Sequence, residues 1–315
     1  MRLFLTRLRA QFLQLLHPPS ENLRILSSVK RIELVKALFE QNCYRPQMEM
    51  ILVDPPLELR GYITSLWSLR GNPVGRYSGL PKPYVELIIS MSGEHHWQRS
   101  VGSASHRYTE GWITPIQSGP RYARTVSNLH LVGVRLPIHT AASLFGPHIN
   151  RDPATPIPIG DVFGTEAVYL REQLLECDSE HAKLHRLAKW IHLKLNQPPA
   201  FNLPSVSELR ILGWKTDALA DYYGLTPRGL RKRFNTEIGL GPKFWLQLNR
   251  FDSVIRDELN TIGLAAAAAA HGYADQAHMS SDFRRFAGRP PRNYLVNRRD
   301  QDAPDEAPHF IPAAP

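Results

Sequence analysis

Two spacings of apolar residues divide the chain. Between Leu52 and Gly160 they come in short runs rich in β-branched side chains, such as "YVELIISM" (84–91) and "HLVGVRL" (130–136). Gly, Pro and Ser punctuate these runs in "RGNPVGRYSGLPKP", "SGEHH" and "QSGPR", which predicts many short strands and hence a sandwich or barrel. From Asp161 to Asn196 the spacing turns helical, with Leu, Trp and Ile on one face of "EAVYLREQLLE" and "HAKLHRLAKWIHLKLN". "QPPAFNLP" (197–204) breaks the pattern as a linker, and from Ser205 to about Arg299 nearly everything reads helical. Residues 1–47 read as a poorly ordered extension, for which an upstream start codon chosen in error would account. The competing reading of that stretch is a basic amphipathic helix on a membrane, from Leu3, Leu5, Leu8, Phe12 and Leu15 at helical spacing. The acidic, proline-rich 299–315 reads as a disordered tail. The expected division is therefore an extension (1–47), a β-rich domain (48–160), a helical connector (161–201), a helical domain (202–298) and a tail.

The helical domain repeats itself. Sliding "GLTPRGLRKRFNTEIGLGP" (224–242) by 49 residues lays it on "DQAHMSSDFRRFAGRPP". Thr226 then meets Asp275, Leu230 meets Met279, Phe234 meets Phe283, Gly239 meets Gly288, Pro242 meets Pro291 and Trp245 meets Tyr294. Each copy has a capping residue, apolar residues four apart, a terminating Gly and a following Pro. Upstream of each lies a small-residue helix ending in Gly, "TDALADYYG" and "LAAAAAAHG". A helix, a tight turn and a capped second helix make a helix-turn-helix. "PKFWLQLNRFDSVIRDELN" joins the copies, with Phe244, Trp245, Leu248, Phe251, Ile255 and Leu259 on one stripe. Such a helix would be about 27 Å long, near one DNA turn of about 34 Å.

Charge gives the repeat a direction. The 315 residues carry a formal +9, and residues 202–300 hold 15 Lys/Arg against 10 Asp/Glu. Arg228, Arg231 and Lys232 fall opposite Leu230 and Phe234, near a helix N-terminus that repels cations. That placement makes sense if something anionic docks there, and duplex DNA fits. The second copy presents Gln276, Ala277, His278, Ser280 and Ser281, with Arg284 and Arg285 one turn later, so the first copy is expected to carry more affinity.

At these residues the chain resembles the AraC family of transcriptional regulators. Segment 216–295 is similar to the family's C-terminal DNA-binding domain, through "GLTPRGLRKRFNTEIGLGP" and "GYADQAHMSSDFRRFAGRPPRNY". More loosely, 52–195 resembles the family's β-rich N-terminal domains through "YVELIISMSG", "GW", "LVGVRL" and "DVFGTEAVYLREQL". The resemblance implies an α+β multidomain protein: a cupin-like N-terminal domain that senses a ligand or mediates dimers, then an all-α double helix-turn-helix domain. It implies DNA contacts at Thr226, Arg228, Arg231, Lys232, Gln276, His278, Ser281, Arg284 and Arg285. Ser281 stands where the family commonly has Arg, and Leu295 follows Tyr294 where the family closes on Tyr-Arg. Double-stranded DNA is the implied partner, with a small-molecule effector, RNA polymerase and a second copy of the chain as further candidates.

Other chemistry is thin. There is no P-loop, GxGxxG, GxSxG or HExxH, so neither a catalytic residue nor a cofactor is expected. His95 and His96 are adjacent and point to opposite faces of a strand, so they do not share a metal; surface or turn positions are expected for both. Glu86 is expected on the solvent face of its strand, and Trp67, Trp97 and Trp112 in aromatic core packing rather than around a ligand. Cys43 and Cys177 read as free thiols in a reducing compartment, and nothing approaches a membrane span or a signal peptide. The leading expectation is a cytoplasmic DNA-binding regulator. The alternative is a small-molecule-binding or enzymatic β-barrel protein with an accessory helical module.

Overall fold

The computed structural model describes residues 48–71, 75–99, 103–125, 127–150, 155–195, 199, 201–256, 263–294 and 311–312. The chain divides into two units, 1–46 and 47–315, and all described residues lie in the second. The expected N-terminal extension, and the expected tail except Ile311–Pro312, lie outside the described residues.

Two antiparallel sheets form the first half. The first orders β1 (Met48–Val53), β2 (Ser65–Gly71), β9 (Leu129–Pro137), β4 (Tyr84–Ser92), β7 (Gly111–Thr114) and β10 (Ile157–Pro158) as β1-β2-β9-β4-β7-β10. The second holds β3 (Gly75–Gly79), β8 (Arg121–Thr125), β5 (His95–Gln98) and β6 (Ser105–Tyr108), with the short strand β11 (Ile311–Pro312) beside β3. The run "YVELIISM" becomes β4, buried on both faces. Val85, Leu87 and Ile89 face one apolar cluster, while Ile88 joins Trp67, Leu69, Trp97, Trp112 and Leu131 in the other. A strand covered on both sides reads as a continuous apolar run rather than an alternation. At the centre Trp67 pairs with Gly133 of β9, where a Cβ would come within 2.4 Å of the indole. Glycine there makes room for the ring.

Helices cover the outer face of the first sheet. α1 (Ile138–Phe145) and a 3-10 turn (Pro147–Asn150) follow β9; α2 (Ile159–Phe163), α3 (Thr165–Leu175) and α4 (Glu180–Lys194) follow β10. Leu170, Leu174, Leu184, Leu187 and Ile191 of α3 and α4 share the cluster of Val85, Leu87 and Ile89. The segment expected as a connector thus forms a layer on the sheet. Ser179 caps α4, accepting from Ala182 N at 3.2 Å. The next residue, Glu180, ties the helix down: its carboxylate accepts from Ser68 and Arg70 of β2 and from His130 Nε2 of β9 at 3.0 Å. Burial by itself would raise this carboxyl, but the bonds from Ser68 and His130 and the nearby charges hold it at about 2.

The second half is helical: α5 (Val206–Ile211), α6 (Thr216–Tyr222), α7 (Pro227–Arg233), α8 (Pro242–Arg256), α9 (Leu264–Ala270) and α10 (Gln276–Ala287). Ser205 and Glu208 close a capping box at the start of α5. The described part of the connecting helix α8 spans 15 residues, about 22 Å; the rest of the expected stretch, Leu259 included, lies outside the described residues. α8 is buried on nearly every side, with Asn249, Arg250, Asp252 and Ser253 inside as well as the apolar stripe. The β-rich half packs on one side of it. Lys82 Nζ reaches Asp252 Oδ1 at 2.8 Å, and Asn150 Nδ2 donates to Ile238 O at 2.8 Å. Gly239, at φ 89°, lies so close to the 3-10 turn that a Cβ would sit 1.7 Å from Pro147 O. On the other side of α8, Arg250 Nη2 donates to Asp282 Oδ2 of α10 at 3.0 Å, both side chains being buried. Its guanidinium lies 4.0 Å from the Tyr273 ring centroid.

Two stability predictions follow from these pairs. Glu180 has a depressed folded pKa, so its contribution is present above the usual glutamate value near 4.5 and is lost as pH falls toward about 2. Glu180→Gln should cost about 1–3 kcal/mol at pH 7. The gap from the native chain, measured by urea unfolding, should close as pH falls through that window; a gap independent of pH would contradict it. Arg250→Met strands a buried carboxylate and should cost about 3–5 kcal/mol. The double change with Asp282→Leu should cost less than the single one in the same assay.

Candidate nucleic-acid interface

Both copies of the repeat fold alike from matching local chemistry. Thr226 caps α7 by accepting from Gly229 N at 3.1 Å, and Pro227 occupies the first turn. Asp275 caps α10 by accepting from His278 N at 2.7 Å. Leu230 and Phe234 in the first copy, and Met279 and Phe283 in the second, are fully buried. Gly239 and Gly288 both end their helices in the left-handed region. Trp245 and Tyr294, which the shift also equates, are both buried. One difference escaped the sequence reading. α7 runs on into a π-turn over Phe234–Ile238, where Gly239 N bonds back to Phe234 O at 3.0 Å.

The cations of the helical half fall into two groups. One is tied down. Arg233 Nε bonds Glu237 Oε1 at 2.9 Å and the guanidinium lies over Phe201. Arg256 Nε bonds Asp252 Oδ2 at 2.7 Å. Arg285 donates to Gln247 Oε1 at 3.2 Å and lies over Phe244. The other group is exposed; it includes Lys215, Lys243 and Arg292 and, on the two second helices, four more: Arg228, Arg231 and Lys232 on α7, and Arg284 on α10. Arg228, Arg231 and Lys232 share the face opposite Leu230 and Phe234, where the sequence placed them. No carboxylate among the described residues forms an ion pair with any of these four.

The second copy is weaker as a cationic face than its sequence suggests. Gln276 and Ser281 are exposed, as the repeat requires. His278 is not on the open face: its Nε2 accepts from Arg250 Nη2 at 3.0 Å and its ring meets Tyr273 edge-on at 5.2 Å. Arg285 is held back against α8 by Gln247 and Phe244. Buried Arg250 explains both the inward His278 and the fixed position of α10. The signal for it in sequence was an arginine between apolar Leu248 and Phe251 in "LQLNRFDSVI".

Two residues of the β-rich half, His95 and Glu86, sit elsewhere than expected. His95 is buried and stacks on Trp112 with centroids 4.9 Å apart, and burial holds its imidazole down to about 3. His96 does point the other way, toward Glu94. Glu86 faces inward from β4 and accepts from Arg135 Nε at 3.1 Å. Trp67, Trp97 and Trp112 line a cavity between the sheets as well as belonging to the core. Residues spaced by two on β4 share a face, so Glu86 and Ile88 look into this cavity while Leu87 looks away.

Residues 219–297 match a family model described as a helix-turn-helix domain. No curated protein matches the chain. Among solved structures, ToxT from Vibrio cholerae is 11% identical with a TM-score of 0.38, covering 79% of this chain and 98% of that one. The unsaturated fatty acid-bound ToxT from Vibrio cholerae strain SCE256 is 10% identical, with a TM-score of 0.38 and coverage of 79% and 94%. The Cupin_2 domain of an XRE family transcriptional regulator from Enterobacter cloacae is 16% identical over 28% of this chain and 95% of that one, at a TM-score of 0.23. With two capped helix-turn-helix units related by 49 residues, the C-terminal part of this chain is a double helix-turn-helix domain of the AraC type.

Proposed function

We propose that the protein is a cytoplasmic, sequence-specific DNA-binding transcriptional regulator, not an enzyme. Its two helix-turn-helix units would enter successive major grooves, and its β-rich half would sense a small molecule or mediate dimers. One observation carries the reading: Arg228, Arg231 and Lys232 lie exposed together on one face of a capped second helix, with no ion pair to a carboxylate among the described residues. Three open cations on one helix face suit a polyanion. The first copy carries base readout through Arg231 and phosphate contacts through Arg228 and Lys232, with Thr226 at the rim. The second contributes Gln276, Ser281 and Arg284, with Arg285 and His278 supporting from behind. RNA polymerase and a second copy of the chain are the protein partners that a regulator of this kind would use.

The alternative, a ligand-binding or enzymatic barrel with a helical accessory, keeps one feature in its favour, the inter-sheet cavity. A sensor domain accounts for that feature equally, and the open cationic face favours DNA.

Binding of the full chain to a selected operator duplex should weaken steeply with salt, because each phosphate neutralised releases counterions. Arg231→Ala should cost about 1–3 kcal/mol and relax one base position. Ser281→Ala should cost less than about 1 kcal/mol, the size of one neutral hydrogen bond. Competition binding against single-base operator variants measures both. Affinity independent of salt would contradict DNA binding; Ser281→Ala as the costlier change would make α10 the main reader.

A further inference from the structure

The outer face of the second sheet carries charge that the fold does not use. Residues spaced by two share a strand face. Trp97, Ala123 and Tyr108 point into the inner apolar cluster, so His96, Arg124 and Arg107 point outward from β5, β8 and β6. The register sets them side by side: Arg124 pairs with His96, and His96 with Arg107. Arg76 of β3 takes the register position beside Arg124 in turn. At about 4.8 Å between strands, the row from Arg107 to the Arg76 position is about 14 Å wide. A polar row of Ser105, Gln98 and Tyr122 runs next to it. Like charges directly opposite one another destabilise a sheet. Glu94 answers part of the row: it accepts from Arg107 Nη2 at 2.5 Å and meets His96 Nε2 at 3.3 Å. Arg124 is exposed, and no carboxylate among the described residues pairs with it. The row therefore favours an anion from outside.

This sheet touches the weaker reading helix. The bend 118–120 leads into β8. A Cβ on Gly119 would lie 3.3 Å from Arg285 O, and one on Gly288 3.2 Å from Pro120 Cγ. The start of β8 thus rests on the end of α10, and Arg124 stands three residues past Arg121, about 10 Å along the strand. Arg284 and Arg292 are exposed at that end of the helical half. The chemistry of the face suits a phosphate backbone, which takes arginines together with hydroxyl and amide groups. A membrane surface calls for apolar anchors, and the outward residues here are cationic or polar, with Tyr122 as the aromatic one.

We infer that the outer face of the second sheet is a further polyanion-binding surface, whose partner is the phosphate backbone of duplex DNA flanking the operator beyond α10. Arg107 and Arg124 contact phosphate, with Ser105, Gln98 and Tyr122 as supporting hydrogen-bond groups. The contact reads no bases. It gives the α10 end of the complex the electrostatic hold that α10 itself lacks, and Glu94 limits that hold by occupying Arg107. This rests on the reading of the protein as a DNA-binding regulator.

The test measures binding of the full chain to the selected operator alone, and to the operator extended at each end by about one helical turn, about 10 base pairs, of arbitrary sequence. At low salt the extended duplex should bind several-fold tighter. Its log affinity should fall more steeply with log salt, by about 2 in slope, as about two further phosphates are neutralised. Arg107→Gln combined with Arg124→Gln should erase most of that gain and leave affinity for the bare operator unchanged. Glu94→Gln should enlarge the gain. No gain from the flanks, a gain that the double variant keeps, or a double variant that loses bare-operator affinity in the same proportion overturns the surface. Glu94→Gln that reduces the gain overturns the role given to Glu94. Phosphatidylserine vesicles are the competing polyanion: vesicle binding abolished by the double variant, with no flank gain, overturns the DNA assignment in favour of a membrane. Specific, salt-dependent binding of the bare operator with no flank gain sinks this inference alone. Duplex binding that needs Arg107 and Arg124 but shows no sequence preference sinks the regulator reading and leaves this surface in place.

Discussion

A helix buried on nearly every side must find a partner for each charge it carries inward. α8 carries Arg250 and Asp252 into the interior and satisfies them in opposite directions. Arg250 reaches Asp282 and His278 of α10; Asp252 reaches Lys82 of the β-rich half. Removing Lys82 leaves Asp252 the more exposed Arg256, and removing Asp282 leaves Arg250 with His278 but no carboxylate; losing a buried partner costs more than an exposed ion pair is worth. These two pairs therefore fix α8 against both its neighbours, and the positions of the two reading helices follow from where α8 lies.

The arrangement has a functional consequence. The first reading helix is held by Phe234, Trp245 and the Gly239 contact with Pro147, and its outer cations have no internal duty. The second is held by the Arg250 network, which consumes His278, while Gln247 and Phe244 occupy Arg285. One copy is thus an open cationic face and the other a mostly neutral one with Arg284 at its edge. Unequal faces of this kind fit the proposal that α7 carries more of both the affinity and the base readout.

Much of this was legible in the sequence because it is local. Caps at Thr226 and Asp275, terminating glycines at 239 and 288, and apolar residues four apart are short-range chemistry, and the structure places each as read. β4 and β9 were legible as β-branched runs. What stayed hidden depends on partners far away in sequence. Asp252 finds Lys82 from 170 residues away, Asn150 finds Ile238 from 88, and Glu180 finds Ser68 from 112. No periodicity records such meetings. The burial of His95 and Glu86 was missed for a related reason: a strand's alternation says which residues share a face, but not that a second sheet covers it.

Hydroxyl-radical footprinting of the full chain on a selected operator tests the central claim most directly. Two reading helices fixed on one buried α8 should protect two patches on the same face of the duplex, about 10 base pairs apart. The patch under α7 should persist to higher salt than the patch under α10. A single protected patch, or two patches whose spacing varies between operators, would show that α8 does not hold the two helices as one rigid reader.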